Sequence, residues 1–410
     1  MVTNISAPWQ PRSFTVVVAQ DGTGDYNGNT STTINQALLA LDTLGGGVCM
    51  IKRGTYTVSL ANKITVFNNC TLQGEGAATI LQFSDGGGDH FVCENVLSAG
   101  SDNIQIKNLV VDANNQNASG FAAYNARNFL MSDVEIKNVA GATSSDGYGV
   151  YFEDCDRLRL QNLYVHDIAQ RDGIQLKGCQ DVYILDCMVS DVVGIYGIDI
   201  HESAARINKN IQVIKPIILD CTRGIDVAGA DHYILDSPII RNCISWAIDI
   251  RETVDYCEIK NPQIYNCSGT AITDSNASVA GDIKNLHIVG GVIDTVTGAS
   301  NDGIFLTDSA NVHIVGMKIL NCGRRGINTK VVATRIIGCT VTGCTGDGIF
   351  LEANSCRVIG TDSNSNTGYG IREYTGKNYN VITECRTVSN TGGTIITVGA
   401  NTVVANNITN

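Results

Sequence analysis

The sequence predicts an all-β chain folded as a right-handed parallel β-helix, a solenoid of coils about 22–27 residues long with an N-terminal capping helix. Three observations lead there. First, a small residue followed by alternating apolar residues returns as Gly149-Val-Tyr-Phe, Gly173-Ile-Gln-Leu, Gly197-Ile-Asp-Ile, Gly224-Ile-Asp-Val, Ala247-Ile-Asp-Ile, Ala271-Ile-Thr, Gly303-Ile-Phe-Leu, Gly326-Ile-Asn, Gly348-Ile-Phe-Leu and Gly370-Ile-Arg. Second, two further short apolar runs separate successive copies, such as Val182-Tyr-Ile-Leu and Cys187-Met-Val, with Asn, Asp, Gly or Ser between them. Third, 43 Gly against 5 Pro with 17% charged residues suits a turn-rich β protein.

The elements follow in chain order. Residues 1–44 form an N-terminal segment that includes the capping helix, read over Thr33 to Leu44 because Ile34, Ala37, Leu38 and Leu41 share one helical face. Such a helix shields a solenoid end that would otherwise expose apolar side chains and strand edges. Residues 45–410 form the β-helix, with Ile174, Ile198, Ile200, Ile225, Ile248, Ile250, Ile272, Ile304, Ile327, Ile349 and Ile371 pointing inward. Cys221, Cys243, Cys267, Cys322 and Cys344 recur in step with the coils and read as an inward ladder of small apolar side chains. Asn242, Asn266 and Asn321, each just before one of these cysteines, read as turn residues.

Composition excludes several functions. A net charge of −12 disfavours nucleic acid and anionic membranes as partners, and no apolar run is long enough to span a bilayer. The 15 cysteines are odd in number and form no C-x-x-C pair, against both a disulfide framework and a zinc site. Met1 to Pro11 lacks the basic start and apolar run of a secretory signal, although a secreted or extracellular location suits the substrate argued below.

If Ile198 and Ile200 point inward, Asp199 and His201 point outward on the same strand. Two residues after the repeat's small residue stand Tyr151, Gln175, Asp199, Asp226, Asp249 and Thr273; four after it stand Glu153, Lys177, His201, Ala228, Arg251 and Ser275. Three consecutive aspartates are thus flanked by a lysine, a histidine and an arginine. Like charges stacked one strand apart cost stability unless they are neutralised or used. This constellation is the candidate site.

The segment from Val16 through the capping helix to Gly45-Gly-Gly-Val-Cys-Met-Ile resembles the start of the pectate-lyase-like β-helix superfamily. More specifically, Tyr196-Gly-Ile-Asp-Ile-His-Glu202 resembles the Y-G-F-D-P-H-E motif of alginate (mannuronan) C5-epimerases. By that resemblance Tyr196, Asp199 and His201 are catalytic and Glu202 belongs to the site. The family's proline is Ile200 here, and its further catalytic aspartate falls to Asp226, since the histidine column offers Ala228 in that coil. No calcium-binding G-G-x-G-x-D repeats follow the motif.

The chemistry is consistent with those residues. Removing the C5 proton of a uronate generates a carbanion beside a carboxylate, so the site must neutralise that carboxylate. Lys177 and Arg251 are placed for this, with Arg223, Gln175, Asp249 and Glu202 as further substrate-binding candidates; His201 suits a base near neutral pH, and Tyr196 an acid, a base or both. Return of the proton on the opposite face epimerises the sugar, whereas protonation of the leaving O4 gives β-elimination. The first expectation is therefore an isomerase converting mannuronate to guluronate in alginate, the alternatives being a polyuronate lyase and a tailspike-like protein that binds or depolymerises glycans. The expected partner is an anionic polysaccharide, with no nucleic acid and no membrane. A monomer is expected for the enzyme and a trimer for a tailspike. The chemistry requires no cofactor and the pattern contains no metal-ligand set, while a supporting role for Ca2+ stays open.

Overall fold

The computed structural model describes residues 14–85, 91–95, 101–141, 147–274 and 283–409. Met1 to Pro11, read above for a leader, and Ser275 lie outside them. The chain forms two compact units, Met1–Lys209 and Asn210–Asn410, and each is a parallel β-helix.

In the first unit the strand Thr15–Ala19 pairs in parallel with Gly47–Ile51, which pairs with Cys70–Gln73, which pairs with Ser101–Asp112. The helix between the first two strands spans Ser31–Thr43, starting two residues earlier than the apolar periodicity indicated. It buries Ile34, Ala37, Leu38 and Leu41 against Thr15–Ala19, Gly47–Ile51 and Ile64–Val66. Past Leu44 the chain turns through Gly45 at φ 81°, and the Gly46 amide donates to the Leu41 carbonyl at 2.8 Å. This positive-φ glycine ends the helix where a side chain would strain it.

Three strands then make each coil: Val150–Glu153, Asp156–Gln161 and Tyr164–Ile168, followed by Ile174–Lys177, Gln180–Leu185 and Met188–Val192. Each pairs in parallel with its counterpart one coil on, Val150 opposite Ile174, Leu158 opposite Val182 and Val165 opposite Val189. Asp154, Asn162, Asp181 and Asp186 turn the corners in the left-handed region at φ 50–55°, which short amide and carboxylate side chains tolerate. The repeat's small residue is small for lack of space. A Cβ on Gly173 would lie 2.4 Å from Val189 Cγ1 and 2.7 Å from the Gly197 carbonyl.

In the second unit one isoleucine ladder runs through Ile225, Ile248, Ile272, Ile304, Ile327, Ile349 and Ile371. All eleven isoleucines expected in the core are buried. Cys221, Cys243, Cys267, Cys322 and Cys344 are buried as free thiols, and Asn242, Asn266 and Asn321 hold φ near 55° at the corners before them. Fifteen buried free thiols agree with a packing role; burial pushes Cys49, for one, up to about 12. The strand Ile248–Val254 departs from regular pairing. Ala228 faces Arg251, but Ala230 faces Val254, and Glu252 takes φ 59° to absorb the one extra residue.

Candidate functional site

The strand Tyr196–His201 carries the motif. In the first unit it lies beside Ile174–Lys177 with Gln175 opposite Asp199 and Lys177 opposite His201. One coil earlier Tyr151 faces Gln175 and Glu153 faces Lys177. The two outward columns therefore run Tyr151, Gln175, Asp199 and Glu153, Lys177, His201.

These columns are less open than outward alternation implies. Asp199 is only 6% exposed, and its Oδ2 accepts a 2.5 Å hydrogen bond from Gln175 Nε2. Lys177 Nζ lies 3.2 Å from Glu153 Oε1, whose Oε2 accepts from the Tyr151 hydroxyl at 2.8 Å. His201 and Glu202 remain half-buried. Lys177, expected to meet a substrate carboxylate, is paired in the structure with Glu153, a carboxylate one strand away.

The turn after the motif is pinned. Ser203 Oγ donates to Asp154 Oδ1 at 2.7 Å and accepts from the Arg206 amide at 2.9 Å; the Arg206 guanidinium binds the Asp154 carbonyl at 2.9 Å and the Asp156 carboxylate. Asn208 Nδ2 donates to the His201 carbonyl at 2.7 Å, while its Oδ1 accepts from the Cys179 amide at 2.8 Å. His201 thus sits where strand and turn are both anchored.

At the other end of the strand, the Tyr196 amide donates to Asp172 Oδ1 at 2.8 Å. Asp172 immediately precedes Gly173, and the same arrangement recurs. Asp302, before Gly303, accepts from the Arg325 amide at 3.0 Å, and Asp347, before Gly348, accepts from the Tyr369 amide at 2.8 Å. An aspartate just before the repeat glycine therefore fixes the residue one coil on, and the Asp-Gly-Ile triplet was its unread sequence signal. Asp172 positions Tyr196 by this rule.

Beside the columns lies an aromatic cluster that the loosely periodic early coils concealed. Tyr151 packs against Tyr148 at 4.9 Å, Tyr124 at 5.5 Å and Phe91 at 6.4 Å between ring centroids. Burial, opposed by Arg171 and reinforced by Asp172 and Asp199, pushes the Tyr148 hydroxyl up to about 12. It stays protonated and can only donate a hydrogen bond to an anion at neutral pH.

The second unit holds the remaining candidates. Asp226 faces Asp249 across the strands, and they are 0% and 1% exposed. Arg251 Nε donates to Asp226 Oδ1 at 2.7 Å, and its Nη2 binds Oδ2. The same Nε lies 3.6 Å from Asp249 Oδ2, yet neither Asp249 oxygen has a hydrogen-bond partner. Arg223 stacks on Trp246 with its guanidinium carbon 4.8 Å from the ring centroid. Arg251, expected to meet substrate carboxylates, is paired in the structure with the protein's own. A buried carboxylate must be paired or protonated, and one guanidinium serves two aspartates here.

Asp249 takes the second course. Burial, then the neighbouring Asp226, push its carboxyl up to about 7, against the pull of Arg251 and Arg223. Its folded value exceeds the unfolded one, so the folded state retains a proton that the unfolded chain releases, and stability falls as pH rises from about 4 to 7. A shift of this size corresponds to an effect on the order of 4 kcal/mol. We expect Asp249→Asn to gain stability relative to wild type progressively across that window in urea unfolding. A constant difference between the two proteins over the same range would contradict this.

Comparisons with known proteins establish the architecture. A family model described as a right handed beta helix region matches residues 49–244. The chain folds as a right-handed parallel β-helix. Comparison with curated proteins returns no match. Among solved structures it is similar to the A-module of mannuronan C-5 epimerase AlgE4 of Azotobacter vinelandii, with 13% identity over 94% of this chain and 99% of that one and a TM-score of 0.61. It is also similar to pre-mature gene product 12 of bacteriophage phi29, at 15% identity, 91% and 54% coverage and a TM-score of 0.62. A double mutant of the periplasmic alginate epimerase AlgG matches at 11% identity, 88% and 77% coverage and a TM-score of 0.51. Identities this low speak to the fold. Among the described residues no helix is long and apolar enough to cross a membrane.

Proposed function

We propose that this β-helix is a polysaccharide-modifying enzyme that epimerises a polyuronate at C5, converting mannuronate to guluronate in an alginate-like polymer outside the cytoplasm. The observation that carries the reading is the register of the motif strand: a half-buried His201 stands beside Lys177, and the adjacent Asp199 is held by Gln175. A base, a cation and an oriented carboxyl on neighbouring strands match the requirements for carbanion formation next to a carboxylate. The motif resemblance and the epimerases among the structures of similar fold favour the same chemistry.

In this mechanism the substrate carboxylate shares the Lys177 ammonium with Glu153 and meets the Asp199–Gln175 pair, which stabilise the charge that moves onto it as the C5–H bond breaks. His201 takes the proton. Tyr196, at the opposite end of the strand and fixed through its amide by Asp172, delivers a proton to the other face of C5. The tyrosyl and histidine charges are then rebalanced through solvent, and the polymer is released with one centre inverted. The buried hydroxyl of Tyr148 donates to the developing anion. Asp226, Asp249, Arg251 and Arg223 belong to the same proposal as residues that shape and charge the substrate face of the second unit.

The test is proton NMR of polymannuronate, pectate and glucuronan after incubation with the protein. Inverted residues in one polymer are expected. Unsaturated ends instead would assign a lyase, and three unchanged polymers would leave the chain as a tailspike-like binder.

A further inference from the structure

The three repeat positions that carry Tyr196, Asp199 and His201 in the first unit recur in the second with different chemistry. Immediately before, two after and four after the small residue, the coils from Asp302 to Tyr374 place Phe305, Arg325, Asn328, Lys330, Phe350 and Arg372. The register stacks Phe305, Asn328, Phe350 and Arg372 in one outward column. Arg325 lies over the Phe350 ring at 3.8 Å and Arg372 over the same ring at 5.4 Å; Lys330 Nζ is 5.3 Å from the Phe305 centroid.

The cations of this patch are only partly neutralised. Arg324 is consumed by Asp302 through bonds of 2.7 and 2.5 Å. By contrast, Arg325 reaches Glu352 only at 3.4 Å and Arg372 reaches Asp347 only at 3.7 Å. Among the described residues the exposed Lys330 meets a ring face rather than a carboxylate. In a chain of net charge −12, three such cations against two loosely held carboxylates leave this face with an excess of positive charge. A second observation is independent of charge. Asn328 is 1% exposed, its amide nitrogen donates to Asp302 at 3.0 Å, and its Oδ1 is left without a partner.

We propose that this outer face of the second unit is a binding site for a strand of acidic saccharide, distinct from the residues of the proposed chemistry. Stacked guanidinium groups whose own carboxylate contacts are long, Arg325 to Glu352 and Arg372 to Asp347, have N–H donors to offer a second carboxylate, and the unpartnered Asn328 oxygen suits a hydroxyl donor. The coil spacing of about 4.8 Å is close to the length of one sugar residue, so successive coils address successive residues of the strand. Single-stranded nucleic acid fits less well, because base stacking needs a bare ring face and cations already cover Phe305 and Phe350.

The site is tested by acylating the lysines of the intact protein and reading Lys330 by peptide mass spectrometry, with exposed Lys318 as the internal reference. The His201→Gln variant is used so that turnover does not consume the probe. Excess polymannuronate is expected to reduce labelling of Lys330 about 5-fold, while dextran and an oligothymidylate leave it unchanged. Arg372→Gln combined with Arg325→Gln should raise the protecting concentration about 10-fold at unchanged thermal midpoint. Equal labelling with and without polymannuronate, or equal protection by dextran or oligothymidylate, would overturn the proposal. Protection without any uronan turnover by the wild type would refute the catalytic reading alone, and turnover without protection would refute this site alone.

Discussion

His201→Gln and Tyr196→Phe are each expected to lower uronan turnover by about two to four orders of magnitude, the usual cost of removing a general acid or base. Folding should survive both. His201 is half-buried on the outer face and leaves the isoleucine core untouched, and Phe retains the packing of the buried Tyr196 ring. The Asn208 bond is to the His201 carbonyl rather than to its side chain, so the turn stays anchored in the variant. Thermal midpoints within a few degrees of wild type, together with kcat/KM on the converted uronan, are the measurements. Near wild-type rates in both variants would end the epimerase and lyase readings together.

The largest stability effect is expected from Arg251→Met. Its guanidinium holds Asp226 through two bonds and lies beside Asp249, and both carboxylates are buried. Removing one partner of a buried ion pair strands the other, which typically costs about 3–5 kcal/mol. The loss should depend on pH. Without the cation the folded protein holds protons on its buried carboxyls that the unfolded chain releases, so the deficit grows as pH increases from about 4. Urea unfolding at pH 7 should show most of the loss, and at pH 4 much less. Asp226→Asn in the Arg251→Met background should recover part of it at pH 7. A loss equal at both pH values would mean that the arginine contributes by packing rather than by charge.

How much of this was legible in the sequence depends on the range of the interaction. The isoleucine ladder is set by period-two alternation repeated at coil spacing, and each position carries the signal by itself. The asparagines before the cysteines are likewise readable, since a left-handed corner followed by a small buried residue is a local pattern. Burial of the aspartate column was not readable. It arises because Gln175, from the coil before Asp199, and Arg251, from the coil after Asp226, cover and pair the carboxylates. For the same reason the pairing of Lys177 with Glu153 was not readable. The positioning role of Asp172 could have been found from the recurring Asp-Gly-Ile triplet. The cluster of Tyr124, Tyr148 and Tyr151 could not, because coils of irregular length separate its members.

The most direct test of the central claim is incubation of the wild-type protein with polymannuronate in D2O, followed by proton and carbon NMR of the recovered polymer. Proton abstraction and return at C5 predicts solvent deuterium at C5 of residues whose configuration is inverted, with chain length retained and the signal abolished in His201→Gln. A polymer recovered without deuterium at C5, under conditions where it demonstrably binds the protein, would contradict the account.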